Sequence, residues 1–293
     1  MQIIWKKSPA FAVILAILGG ILAMSPISYA DNTEMEVSEN SVSTYEVFRE
    51  VPVYINGEEM VSRGRLINDT TYMPLRSVSD ELEPGSVTWN NGIATVNSDT
   101  VKIIAQQGSH YIMANERVLY HDQPIRNIES RIYVPVRLLA KAYSLSIEWD
   151  DSTKSVKLYG DPKGLKRGSE YYNETDLYWL SRIIHAESSG EPFLGKIAVG
   201  NVVINRKARN DYPNTVKDVI FDKKYGTQFT PVASGTIYNT PSNDSIHAAK
   251  ICLEGYSLND EMIFFLNPRI ATNFWITNTR THVMTIGKHK FYK

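Results

Sequence analysis

The spacing of apolar positions changes several times along the chain. Residues 10–24 (AFAVILAILGGILAM) form an unbroken apolar run. Residues 31–50 (DNTEMEVSENSVSTYEVFRE) are polar and acidic, the composition of a segment with no core to bury. From residue 51 to about 160, apolar residues come in short alternating runs, the period of strands. Residues 161–173 (DPKGLKRGSEYYN) are rich in Gly, Pro and charge and read as a linker. From 174 onward the spacing lengthens to three and four residues, the period of helices.

The strand region repeats itself. Tyr72-Met73-Pro74-Leu75-Arg76 returns as Tyr133-Val134-Pro135-Val136-Arg137, Trp89 as Trp149, and Val96 as Val156, at an offset of about sixty residues. Each copy predicts a turn, a short strand, a helix opening at Pro and two further strands. In the second copy those strands are Leu145–Trp149 and Ser155–Tyr159, joined by Asp150-Asp151-Ser152-Thr153. Pro74 and Pro135 suit the first turn of a helix, where a missing N–H costs nothing. The region is a duplicated α+β unit.

In the last region Leu177, Leu180, Ile183 and Ile184 predict an amphipathic helix from Asp176 to about Ser188, with Thr175 as its cap. Ser188-Ser189-Gly190 stops it, and Glu191-Pro192 starts the next helix, which runs to about Arg209. The apolar face of that helix is nearly continuous, from Leu194 through Ile204, so it is the central buried helix. Thr215 caps a short helix through Ile220, Ser245 to about Tyr256 is another helix, and Met262–Leu266 is a strand. Val283–Ile286 and Lys290–Tyr292 form a closing hairpin around Gly287-Lys288.

Composition refines this outline. Lys6-Lys7 ahead of the apolar run, then Pro26, Ser28 and Ala30, make the pattern of a secretory signal peptide over residues 1–30, with cleavage after Ala30. The run is shorter than the ~20 residues of a spanning helix. A net charge of −1 on 293 residues gives no electrostatic case for a nucleic-acid partner. Cys252 is the single cysteine, so the fold holds without an internal disulfide, and its apolar surroundings make it a small buried hydrophobe.

Glu187 carries the candidate chemistry. It follows Ile184 and Ile183 by three and four residues, so it shares their helix face. A carboxyl held in apolar surroundings keeps its proton near neutral pH, as a general acid must. The residues alone leave a second reading open, a carboxylate fraying into solvent at a helix end. His185 does not complete the His-Glu-x-x-His spacing of a zinc protease, and the six histidines show no ligand set.

The segment His185-Ala186-Glu187-Ser188-Ser189-Gly190-Glu191-Pro192 resembles the Ala-Glu-Ala-Arg-Gly-Glu-Pro signature of the spore-cortex-lytic, or SleB/CwlJ-type, cell wall hydrolases. Ala198 to Arg206, Gln228 to Val232, Phe265 to Pro268, Ala271 to Trp275 and Ile286 to Tyr292 resemble that family's later segments, in the right order over residues 174–293. The resemblance implies a mainly helical, lysozyme-like fold that cleaves the sugar backbone of peptidoglycan, with Glu187 as acid/base. Some members are lytic transglycosylases, whose chemistry needs one carboxyl. A hydrolase usually needs two. Glu191 is the nearest second carboxylate, and capping of the next helix is its preferred role. Ser188-Ser189 replaces the family's Ala-Arg, and Leu266 adds a residue before Asn267.

Gln228, Phe229, Asn205, Tyr225, Asn267 and His289 are the substrate-binding candidates. Asn205 and Arg206 either satisfy helix ends or line the cleft. Phe229, Tyr225 and Trp275 either stack on sugar rings or fill the core, and core is the default for Trp275.

Residues 51–160 resemble the small domain named after the N-terminal part of copper amine oxidases. With only His110 and His121 and no cysteine, the region has no ligand spacing for copper and reads as a wall-associating or spacer module.

The expectation is therefore a signal peptide (1–30), a spacer (31–50), the duplicated α+β module (51–160), a linker (161–173) and a helical cell wall hydrolase domain (174–293). It would be secreted, act on peptidoglycan in cell wall or spore envelope, and need no cofactor or metal. The alternatives are a hydrolytic muramidase or glucosaminidase, and a non-catalytic wall-binding protein.

Overall fold

In the computed structural model, residues 48–224, 226–272 and 274–293 are described. The expected signal-peptide segment and nearly all of the expected acidic spacer lie outside them, as does Tyr225.

The first region runs β1 (Arg49–Val51), β2 (Val53–Ile55), β3 (Glu58–Glu59), β4 (Gly64–Ile67), β5 (Thr70–Pro74), α1 (Leu75–Leu82), β6 (Ser86–Asn90), β7 (Ile93–Asn97) and β8 (Lys102–Gln106). It continues through β9 (Tyr111–Ala114), β10 (Arg117–Tyr120), β11 (Arg126–Ile128), β12 (Arg131–Pro135), α2 (Val136–Ala142), β13 (Ser146–Asp150) and β14 (Ser155–Tyr159).

The duplication appears as a local dyad. β5 and β12 pair antiparallel, Tyr72 with Pro135, Met73 with Val134 and Pro74 with Tyr133, so each residue faces its repeat partner's counterpart. β4 and β11 flank them in one five-stranded sheet with β1 at the end. Arg126 stacks over Tyr72 and Arg65 over Tyr133, the same contact made across the dyad in both directions. Both flanking hairpins turn through two residues with positive φ, Asn68-Asp69 and Glu129-Ser130, the backbone that matches strand twist. Pro74 and Pro135 sit at the cap position, one residue ahead of where the helices open.

The last hairpins of the two copies differ in length. Trp89 pairs with Ala94 and Trp149 with Val156. The second hairpin loop is longer, so Ala94 rather than Val96 is the structural counterpart of Val156. β6 and β13 are each the edge strand of their sheet.

The second region runs α3 (Gly168–Tyr171), α4 (Glu174–Ser188), α5 (Phe193–Lys207), α6 (Val216–Phe221), α7 (Thr230–Ser234), a 3-10 turn (Thr236–Tyr238) and α8 (Asn243–Leu253). It closes with β15 (Phe264–Leu266), α9 (Trp275–Thr279), β16 (His282–Ile286) and β17 (His289–Tyr292). The cap of α4 is Asn173, whose side chain accepts from the Asp176 N–H at 3.0 Å, rather than Thr175. α5 is the central helix: Ile197, Ala198, Val199, Val202 and Val203 are fully buried. Burying each of the larger aliphatic side chains contributes about 1.5–3 kcal/mol. Gly200 lets α5 close on its neighbours, since a Cβ there would meet Cys252 Sγ at 2.6 Å and Ile184 Cδ1 at 2.8 Å. Cys252 is a core residue whose thiol is pushed up by burial.

The described residues belong to one compact unit. Residues 161–173 carry α3 and bond back to the module, Lys163 N to Tyr143 O, Leu165 N to Ala142 O and Gly168 N to Asn115 O. The β9–β10 hairpin lies on the helical region, with Val118 inside its core. There Arg117 donates twice to Glu254 at 2.7 Å, and Tyr172 and Lys141 reach the same carboxylate at 2.8 and 3.0 Å.

Candidate active site

Glu187 is the penultimate residue of α4. Helical spacing packs Ile183 and Ile184 into the core and leaves the Glu187 side chain half-buried at the core's edge. The end of the helix is held from three sides. The Ser188 hydroxyl donates back to Ile184 O, and buried Lys196 donates to the carbonyls of Ser189 and Glu191. The Glu191 carboxylate accepts from the Lys288 N–H at 2.8 Å. Glu191 therefore caps the turn of the β16–β17 hairpin and not α5, whose cap is Pro192 with no side-chain bond. That turn needs Gly287, with φ +58°, because a Cβ there would strike the Glu191 carboxylate.

Beside Glu187 opens a cleft of about 620 Å³. Its walls come from the 227–236 segment, from β15 and the residues after it, and from Arg206 and His289. Glu187 is the only carboxylate among the described lining residues. Burial pushes its carboxyl up to about 7, and among the described residues no hydrogen bond or ion pair counters that effect. A carboxyl in this state exchanges its proton with a neighbour near neutral pH.

The other expected residues divide. Gln228 lines the cleft, its amide donating to Gly226 O at 3.2 Å. Phe229 belongs to the cleft wall and to the core at once, 2% exposed. Asn267 lines the cleft while its side chain accepts from Arg269 N, ordering its own turn. His289 is buried against Phe265 at 5.3 Å, and burial holds its imidazole below the usual histidine range. Asn205 is not brought to the cleft: its amide donates to the carbonyls of Asn259 and Met262 at 2.9 Å, tying α5 to the loop before β15.

Its neighbour Arg206 is there instead. The Arg206 guanidinium donates to Ile263 O at 2.7 Å and lies among the rings of Tyr212, Phe229 and Phe264, and one buried terminal nitrogen has no hydrogen-bond partner among the described residues. The sequence weighed both residues equally, since adjacent helix positions about 100° apart differ only in which way they face. Trp275 departs from its default too: it is 48% exposed on the cleft rim, packed edge-on to Phe264 and under Arg280. A second cleft of about 620 Å³ adjoins through Gln228, Phe264 and Trp275 and holds Asp211 and Asp222.

The half-buried Glu187 carboxyl, with no partner among the described residues, thus faces a cleft walled by aromatic rings and amides. Residues 190–292 match the Cell Wall Hydrolase family, and residues 54–158 match the copper amine oxidase N-terminal domain. Residues 190–292 thus carry a cell wall hydrolase domain, and the ordered segments noted in the sequence fall largely within that span. The spore cortex-lytic enzyme of Bacillus cereus is 38% identical over 122 residues, 42% of this chain and 46% of that protein. The spore cortex-lytic enzyme of Bacillus subtilis is 33% identical over 120 residues, 41% of this chain and 38% of that protein. The crystal structure of the catalytic domain of the Bacillus cereus SleB protein is 38% identical, covering 42% of this chain and 92% of that one, with a TM-score of 0.38. The chain spans less than half the length of these two curated relatives. Glu187 lies three residues ahead of the matched family span, so its role is argued from the cleft.

Proposed function

We propose that this protein cleaves the glycan strands of peptidoglycan as a lytic transglycosylase, with Glu187 as the single acid/base. The observation that carries this reading is the carboxyl pushed up to about 7 in a cleft with no other carboxylate among its described lining residues. The protonated carboxyl gives its proton to the bridging oxygen as the bond from that oxygen to C1 of the muramic residue breaks. The carboxylate then takes the proton of the muramic 6-hydroxyl, whose oxygen bonds to C1. The products are a free 4-hydroxyl and a 1,6-anhydro end, no water is consumed, and Glu187 returns to its starting state. Trp275 and Phe265 offer faces for sugar rings, and Gln228 offers an amide for hydroxyl groups. The names of the relatives make spore cortex the favoured form of the substrate.

Hydrolysis is the second reading, because Asp211 and Asp222 line the adjoining cleft and would supply the second carboxylate that a hydrolase uses. Mass spectrometry of fragments released from purified peptidoglycan separates the two. Anhydro ends are expected; reducing ends would move the assignment to hydrolysis, and freed peptides would overturn glycan cleavage altogether.

A further inference from the structure

The module contains two clefts that the duplication relates to each other. One, of about 550 Å³, lies between the α1 start and Trp89 of the first copy and strand residues Arg131 and Ile132 of the second. The other, of about 400 Å³, lies between the α2 start and Trp149 of the second copy and Thr70 and Thr71 of the first. Each copy thus lends a strand across the dyad to complete its partner's cleft. Trp89 is 50% exposed and Trp149 36% exposed, both on edge strands. A single exposed tryptophan is ordinary on a protein surface. Here the same ring is exposed at the equivalent position of both copies, each with an arginine (Arg76, Arg137) beside it, while neighbouring positions have diverged, as Thr88 and Glu148 have. A ring kept only for folding would be expected in the core, where Trp buries a large area.

We propose that these clefts are paired binding sites for peptidoglycan glycan strands, with the Trp89 and Trp149 rings as stacking faces. This rests on the peptidoglycan reading of the helical region. Two observations select a repeating acidic polymer as the occupant. Two equivalent clefts suit a ligand that presents the same unit more than once, and engaging both multiplies their affinities. The Trp89 cleft also has Arg76 and Arg131 in its walls and no carboxylate among its described lining residues, which complements the carboxylates carried by muramic substituents. In the Trp149 cleft Arg49, Arg137 and Lys154 are balanced by Asp69, Glu148 and Asp151, so the Trp89 cleft is the tighter of the two.

The test is co-sedimentation of the full chain, carrying Glu187→Gln so that nothing is degraded, with purified peptidoglycan sacculi. Trp89→Ala is expected to weaken binding about tenfold, the scale of losing one aromatic anchor. Trp149→Ala should cost less, and the double variant about a hundredfold as avidity is lost. Trp89→Phe should retain most of the binding, and peptide-stripped glycan strands should compete. Arg131→Ala, on the facing wall, should weaken binding most at low salt, which keeps the proposal testable if a Trp variant fails to fold. Undiminished sedimentation of the double variant, no sedimentation of the parent, or competition by free stem peptides alone would each overturn it. Fragment release by the Glu187 protein is scored in parallel: silence there with Trp-dependent binding intact counts against the catalytic reading alone.

Discussion

Two glutamates in the helical region meet the same low-dielectric surroundings with opposite results. Glu254 is the C-cap of α8 at the junction with the module, its side chain 3% exposed. Burial pushes its carboxyl up, but hydrogen bonds from Arg117, Lys141 and Tyr172 outweigh burial and hold it below the usual range. Glu187 ends α4 beside an open cleft, and with no such partner its carboxyl rises to about 7. Burial alone therefore does not define a catalytic acid. Burial without partners, next to space for a substrate, is what the proposed role of Glu187 rests on. The first glutamate joins two regions of the chain and the second is left ready for a proton transfer.

The comparison breaks most visibly in activity. Glu187→Gln keeps the size and hydrogen bonding of the side chain but cannot move a proton, and release of peptidoglycan fragments should fall by about 10²–10⁴-fold with the fold intact. Full activity in that variant would remove Glu187 from the mechanism. The next effect lies at Glu254. Arg117→Met removes the bidentate partner of a buried carboxylate that keeps Lys141 and Tyr172, and should lower unfolding free energy by roughly 2 kcal/mol, measured by denaturant titration; a loss below about 0.5 kcal/mol, the scale of exposed pairs, would make the junction pair incidental.

Stability against pH sharpens the contrast, because the two glutamates act with opposite sign. The folded-state value of Glu187 is raised from 4.5 to about 7. Below 4.5 the carboxyl is protonated in folded and unfolded chains alike, and as pH rises toward 7 the unfolded chain ionises first, so stability falls. Glu187→Gln should therefore be more stable than wild type at pH 8, by roughly 1–2 kcal/mol after solvent screening at its exposed edge, and show no such gain at pH 4. For Glu254, lowered in the folded state, the stabilisation is present above the ordinary carboxylate range and is lost as pH falls through its folded value. Glu254→Gln should accordingly be less stable than wild type at pH 7, with the deficit shrinking in acid. Melting curves across pH check both; two curves of the same sign would end the contrast.

The smallest effect is at Glu191. Glu191→Gln keeps the contact to the Lys288 N–H but weakens it, and should cost about 1 kcal/mol of stability, the scale of one such capping bond. Activity should stay within a few-fold of wild type. A folded but inactive Glu191→Gln would mean that the catalytic role belongs there.

Much of this was legible in local patterns. The repeated Tyr-x-Pro-x-Arg announced the duplication, though not the dyad that relates its copies, and the spacing of Ile183, Ile184 and Glu187 offered a carboxyl on an apolar face beside the alternative of a frayed helix end. Features made by partners far apart in sequence carried no local signal. Arg117 and Glu254 are separated by 137 residues, and nothing near either names the other. The side chain of Glu191 looked like a helix cap because only the following helix is visible along the chain, whereas its partner Lys288 arrives from the last hairpin. Arg206 and Asn205 were indistinguishable until the loop before β15 took the Asn205 amide and the cleft took Arg206. Trp275 read as core because its ring is large and apolar, yet a five-residue helix on the cleft rim cannot bury it.

The central claim is that Glu187 holds its proton near neutrality because burial acts on it without a compensating partner. Carbon-13 NMR of carboxyl-labelled glutamate, with the Glu187 signal assigned by its loss in Glu187→Gln, measures this directly. A titration midpoint near 7 is the expected result; a midpoint in the ordinary carboxylate range, near 4.5, would contradict the account.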